Sequence, residues 1–317
     1  MKNNNWYFMR KKFKLLVIII LFCSVKALSQ DVNLDSMLDV QMKAKNKNKT
    51  QYTEATFKTT RLIDGHTVET TQAGVLDLKV SHRFGTLNQG FYNMFGFDVA
   101  SMRIGLDYGL TNRLTIGGGR STFEKQYDGF LKYRLLWQSE GKKNMPVSVT
   151  LLSSIMFETD TIALKTEKEI NVSPRTSDKF SYAYQVLIGR KFSPNFSLQL
   201  APTLIHENIV DSAFNPNDLF AVGAGARFKL TQRSSINVEY YYQLPGSKLP
   251  GTYNTFSIGY EIETGGHVFQ LHFSNSTGMT ERTFIAENTG RWSKGDIHFG
   301  FNISRVFTIK KPKEPKM

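Results

Sequence analysis

Nine ionisable side chains are spaced so that they could meet in one enclosure. Arg103, Asp107, Lys132, Arg134, Arg227, Glu239, Glu261, His272 and His298 each occupy the polar half of a segment that alternates polar with apolar residues. Charges gathered this way either pair with one another and rigidify the enclosure or set the ion preference of a pore. His272 and His298 fall on the polar face of neighbouring segments, as two ligands of a metal site would. No third ligand has an obvious place, so they read as hydrogen-bonded wall residues. Gly117–Arg120 and Gly223–Arg227 invite a phosphate-loop reading. The helix that must follow such a loop is missing, and glycine in a strand more simply lets a wall curve or be approached closely. His82 and Arg83 stand where a first strand meets a first long loop, placed to touch a ligand or to satisfy loop carbonyls. A lipid hydrolase would need a Ser–His pair on the outer, apolar face, whereas the histidines fall mostly on the inner one. The expectation is therefore no catalytic, cofactor-binding or metal residue, with the nine ionisable groups as lumen-lining candidates.

The elements that must hold them have a period of two. Ile104, Leu106, Tyr108 and Leu110 oppose Arg103, Gly105, Asp107 and Gly109; Leu131, Tyr133, Leu135 and Trp137 oppose Lys132 and Arg134. Tyr182, Tyr184, Val186 and Ile188 oppose Ser181, Ala183, Gln185 and Gly189, and the pattern repeats through 220–230, 236–242, 256–262 and 297–304. Strict alternation is a strand signal, and by itself it also fits a sheet with one solvated face. The connections decide. Short polar turns at 110–114, 192–196, 230–234 and 263–267, with 139–146 on the same side, alternate with long stretches at about 85–99, 122–127, 158–179, 208–218, 244–252 and 276–294. Short turns at one end and long loops at the other mark an outer-membrane barrel. The prediction is an all-β fold: a transmembrane, antiparallel up-and-down β-barrel of about twelve strands over 73–307, with both termini in the periplasm. Tyr108, Trp137, Phe192, Phe196, Phe228, Tyr240, Tyr242 and Phe307 would form its aromatic girdles.

The ends read differently. Lys2, Arg10, Lys11, Lys12 and Lys14, an apolar run from Leu15 to Cys23, and Ala27-Leu28-Ser29 make the three-part pattern of a secretory signal peptide over 1–29. The run is too short to span a bilayer, and the bulky Phe22 before Cys23 disfavours a lipidation site. Cleavage near Ser29 or Gln30 leaves a chain without cysteine, which suits passage through an oxidising periplasm. The signal holds six of the 40 basic residues and none of the 27 acidic ones, so the mature balance is 34 against 27, or +7. Its basic residues are scattered rather than clustered, which argues against nucleic acid. Residues 30–72 form a periplasmic N-terminal segment or plug: a short amphipathic piece, a Lys- and Asn-rich linker, then a β-like stretch from Ala55 to Ile63 and a turn at Asp64-Gly65. Residues 308–317 are a basic C-terminal tail.

Several runs carry a family resemblance: YTEATFKTTRLIDGHTVE at 52–69, VSHRFG at 80–85, NQGFY at 88–92, RIGLDYG at 103–109, GRSTFEK at 119–125 and DGFLKY at 128–133. Together they resemble the Bacteroidota outer-membrane β-barrel family catalogued as domain of unknown function 5777. The resemblance implies the barrel and the location and assigns no activity. The expected role is a passive channel or a binding scaffold for a small solute or a partner, surrounded by outer-membrane lipid and inserted by the outer-membrane assembly machinery. The rivals are an outer-membrane lipid hydrolase and a secreted soluble β-sandwich. The sandwich would expose more contiguous apolar surface than soluble proteins tolerate.

Overall fold

The computed structural model describes residues 49–159, 175–210 and 215–310. The expected signal peptide, the amphipathic piece and linker, and most of the tail lie outside those residues.

Twelve strands close into a barrel. They are β2 (Val75–Thr86), β3 (Ala100–Gly109), β4 (Leu114–Ser121), β5 (Gln126–Leu136), β7 (Ser148–Glu158), β8 (Phe180–Ser193), β9 (Phe196–Glu207), β10 (Asp218–Lys229), β11 (Ser234–Gln243), β12 (Thr255–Thr264), β13 (His267–Ser274) and β14 (His298–Thr308). Each pairs antiparallel with its chain neighbours, and β14 closes on β2 with Phe301 opposite His82. Two short strands, β1 (Thr50–Tyr52) and β6 (Ser139–Gly141), pair separately within the connections. The strands run from 8 to 14 residues, and all but β4 and β13 reach the roughly 9–11 residues that a tilted strand needs to cross a hydrocarbon layer.

The alternation sorts side chains as the pattern requires. Leu106, Leu131, Tyr184, Leu200, Phe220 and Leu271 stand exposed on the outer wall, while Asp107, Lys132, Gln185, Gln199 and Glu261 are buried inside. An apolar girdle of this extent is a lipid-facing surface. Phe192, Phe196 and Phe228 stack in a row at the short-turn end, with centroids 5.7 and 5.0 Å apart.

Two sequence expectations change. Trp137 leaves the lipid-facing row, because the β5–β7 register shifts between Arg134 and Leu136. Its ring lies 4.2 Å from the inward guanidinium of Arg134, and its indole N–H donates to the Thr53 carbonyl at 2.8 Å. The stretch from Ala55 to Ile63 is not a strand. It enters the barrel, where its backbone groups bond to side chains of the wall, and its one bridge is Arg61 with His66.

Candidate functional site: a lumen filled from both ends

Residues 56–57 and 60–68 are buried inside the barrel, gripped by inward side chains as a bound peptide would be. Glu239 on β11 accepts three consecutive backbone N–H groups at the Asp64-Gly65 turn: Ile63 at 3.0 Å and Asp64 at 3.1 Å on Oε2, and Gly65 at 2.7 Å on Oε1. Gln199 on β9 accepts from the Val68 N–H and donates to the His66 carbonyl, both at 2.7 Å. Lys132, Gln270 and Asn302 donate to the carbonyls of Thr60, Leu62 and Ile63. The plug has no strand partner because the alternating wall presents amides and carboxylates in place of one, and buried backbone groups must be paired.

Ion pairs tie plug to wall. Asp64 meets Arg83 at 2.6 Å and accepts the Ser257 hydroxyl at 2.7 Å; Glu69 meets Arg134 at 2.7 Å. Thr60 donates to Asp107 at 2.8 Å, and Lys79 bridges Asp77 and Asp107 at 2.8 and 2.9 Å. Apolar contacts complete the seat. Phe57, Leu62 and Val68 pack with Phe130, Leu152, Leu187 and Ala201. Two inward glycines leave the plug its space: a Cβ at Gly189 would stand 2.8 Å from both Val68 methyls, and one at Gly225 2.6 Å from Leu62.

From the long-loop end the β13–β14 connection, 275–297, turns into the barrel. Phe284, Ile285 and Ala286 are fully buried there against Met156, Ala183, Ile205 and Tyr241. Arg282 sits among Glu158 at 2.6 Å, Glu287 at 2.7 Å, Glu207 at 3.5 Å and Glu124 at 4.0 Å. Burial alone would weaken its charge, but these carboxylates more than compensate and hold its pKa above the usual arginine range. The two fillers meet at Glu281, whose Oε1 lies 3.4 Å from His66 and 3.7 Å from Arg61. Burial, followed by the charges of Arg61, Lys132, Lys79 and Arg103, holds the His66 imidazole well below its ordinary pKa. Between plug and wall there remains a cleft of ≈ 30 Å³, against ≈ 470 Å³ at the short-turn mouth and ≈ 230 Å³ at the long-loop mouth.

The nine sequence candidates fall into three groups. Asp107, Lys132, Arg134 and Glu239 contact the plug directly. Arg103 and Asp128 form a two-bond pair at 2.8 and 2.5 Å, and Arg227 lies 3.7 Å from Glu261, which also accepts from Ser235 and Asn237. His272 and His298 are not brought together as ligands. His298 spends its ring nitrogens on the Phe84 carbonyl at 2.7 Å and Thr277 at 3.0 Å, while His272 is buried opposite Gly300. Among the described residues no three His, Cys, Asp or Glu side chains cluster as metal ligands. Gly117 and Gly223 crowd Phe130 and Tyr241 inside the wall, not a phosphate loop. His82 and Arg83 point to opposite sides: Arg83 into the lumen, His82 outward in a stack on Phe301 at 4.9 Å. Sequence reasoning missed the plug's own Arg61, Asp64, His66 and Glu69, and the Glu281–Arg282 pair of the loop. The Asp64-Gly65 turn was their visible marker; nothing local marks residues 281–286.

A closed barrel with a lipid-facing outer wall and a polar interior occupied by its own chain is a plugged membrane β-barrel. The chain belongs to the family described as Membrane bound beta barrel domain (DUF5777), whose model matches residues 57–307. That match takes in most of the plug as well as the wall. Among solved structures, the KdgM porin is similar with a TM-score of 0.45 and 8% identity over 74% of this chain and 99% of its own. An outer membrane channel from Pseudomonas putida F1 gives 0.44 and 12% over 76% and 98%. The outer membrane protein Omp33 of Acinetobacter baumannii gives 0.40 and 8% over 73% and 97%. No curated protein matches the sequence.

Proposed function

We propose that this protein is a passive channel for a small polar solute in a bacterial outer membrane, shut in the described state by its own N-terminal segment. In this reading a cleaved signal peptide, 1–29, exports the chain, the assembly machinery inserts it, and outer-membrane lipid surrounds it. The long loops face outward, and the segment preceding the plug lies in the periplasm. The nine lumen candidates act as the inner wall rather than as catalytic groups, with no cofactor and no nucleic-acid partner. The outward histidines His82, His206 and His267 have Met102 and Phe301, Tyr182 and Asp218, and Thr264 and Arg305 as cross-strand partners, none of them the serine a lipid hydrolase would need.

The observation that carries this reading is the chemistry of the plug–wall contact. It is made largely of hydrogen bonds and ion pairs to Glu239, Gln199, Arg83 and Arg134. Water can replace such bonds, each contributing about 0.5–1.5 kcal/mol net between neutral groups and about 1.5–3 kcal/mol to a charged one, so a polar seat suits a plug that leaves. The test is conductance of the refolded mature protein in planar bilayers, with and without residues 31–70. Current that appears or grows on deletion supports a plugged channel. Silence in both forms overturns it and leaves a filled barrel serving as a binding scaffold.

A further inference from the structure

The run Asn88–Tyr92 takes no part in the lumen. It lies in the β2–β3 connection, 87–99, at the long-loop end, and that connection exposes apolar side chains on a built frame. Tyr92 is 95% and Phe91 79% exposed, and Met94, Phe95, Phe97 and Val99 are about half exposed. A floppy loop would fold such groups away, but this one is braced. Gly85 N–H donates to the Val99 carbonyl at 2.8 Å and Leu87 N–H to that of Ile297 at 2.8 Å, while the Asn88 amide reaches Asp296 at 2.7 Å. Met94 and Phe95 hold positive φ, 47° and 53°, a conformation that bulky residues adopt only where the surroundings impose it.

We infer that this loop is a lipid-binding clip, which dips its aromatic tip into the leaflet at the long-loop rim. At Phe97 the loop's apolar surface joins the lipid-facing wall. Phe97 lies 4.6 Å from Phe84 and 6.0 Å from Phe299, and Phe299 lies 5.5 Å from Phe273 in the outward row. Between Arg83 and Asp98 no residue is charged. The connection's single charge, Asp98, stands next to its last residue, whereas the other long connections carry theirs further in, as at Glu124 and Lys125, Lys248, and Arg291 with Lys294. Uncharged aromatic residues adjoining a hydrocarbon belt prefer the headgroup boundary to water. A protein partner would also cover apolar surface, but it gives no reason for the patch to run into the wall.

The mature chain is expected to lack cysteine, so single spin labels can be placed at Tyr92→Cys, at Lys248→Cys in the β11–β12 loop, and at the outward Leu271→Cys. Full-length mature protein is reconstituted in vesicles of phosphatidylcholine and phosphatidylglycerol, and each label is relaxed with oxygen and with a water-soluble nickel chelate. The expected result is an oxygen-to-nickel accessibility ratio at Tyr92 that matches Leu271 and stands several-fold above Lys248. A ratio equal to that of Lys248 overturns the inference. So does a label open to nickel in these vesicles but shielded in native membrane fragments, because a protein then covers the patch. Phe91→Cys repeats the measurement where Tyr92→Cys does not fold. The Leu271 label reports whether the barrel is inserted, independently of whether it conducts.

Discussion

Glu239→Ala is the perturbation that most directly addresses how the lumen is held shut. One carboxylate accepts three successive plug N–H groups at 3.0, 3.1 and 2.7 Å, on a turn whose removal from the barrel would free all three. Hydrogen bonds to a charged group contribute about 1.5–3 kcal/mol each. Taking the low end for all three, the alanine variant weakens plug docking by roughly 4 kcal/mol, a shift of about a thousandfold in the closed-to-open ratio. Glu239→Gln retains one acceptor oxygen and turns an amide N–H toward another donor. It should lose about half as much, roughly 2 kcal/mol, which is a shift of about thirtyfold. Single-channel recording in planar bilayers reads these as open probability, in the order wild type, glutamine, alanine, and the form lacking residues 31–70. Trp137 gives an independent optical readout, since its indole N–H donates to Thr53 at the base of the plug. A deletion form that conducts beside an alanine variant as silent as wild type would refute the assignment of Glu239 as the latch. Conduction in the glutamine form that exceeds the alanine form would refute the additive hydrogen-bond reasoning.

Protonation of His66 should loosen the plug. His66 is held neutral in the closed state but returns to about 6.5 once released. The stability this gives the closed state is therefore fully present above that value and is lost as pH falls below it. The His66 contribution should appear below pH ~6.5, read as the difference in open probability between wild type and His66→Gln at each pH. Gly189→Leu forces a side chain against both Val68 methyls, 2.8 Å from the first added carbon, and should raise conductance; Gly129→Leu, whose Cβ meets nothing nearer than 3.7 Å on the outer wall, should not. Arg83→Met strands the buried Asp64 carboxylate, and loss of one partner of a buried pair costs about 3–5 kcal/mol. Protease cleavage within residues 56–68 of the refolded protein should then accelerate, and adding Asp64→Asn should restore much of the resistance.

The wall was legible in the sequence because its signal is periodic and redundant. Each strand shows polar and apolar residues on alternate positions, and a shift by one would bury Leu131 and expose Lys132. Loop ends followed from the same rhythm: the expected stretch at about 244–252 lies within the observed 244–254 connection between Gln243 and Thr255. A plug was one of the readings of residues 30–72, but its seat was not legible, since its backbone bonds run to distant side chains, as from Val68 to Gln199 and from Ile63 to Glu239. No local period can encode such partners. Trp137 was misplaced for a related reason, since a single register shift beside Arg134 ends the alternation that had been extended through it. The burial of Phe284 and Ile285 was equally hidden, because a loop's return into a lumen depends on what the far wall offers, here Met156, Ala183 and Tyr241.

The buried charges divide by partner, and that division separates structure from closure. Arg103 pairs with Asp128, and Arg227 approaches Glu261; both ends of each pair lie on the wall, so they persist whether the plug is in or out. Arg83, Arg134 and Glu239 are completed by the plug and must be hydrated when it leaves. Pairs of the first kind resist deformation of a barrel that would otherwise hold only water, whereas pairs of the second kind set the balance between closed and open. Arg103→Ala should then lower the temperature at which the folded barrel loses its compact migration in detergent gels, by leaving Asp128 without its partner and the space over Gly105 and Gly119 unfilled, while open probability stays at the wild-type level. Glu239→Ala should show the reverse, with a near-normal unfolding temperature and a raised open probability. If both variants change both readouts together, wall and plug form one cooperative unit, and the lumen is a solid core rather than a closed gate.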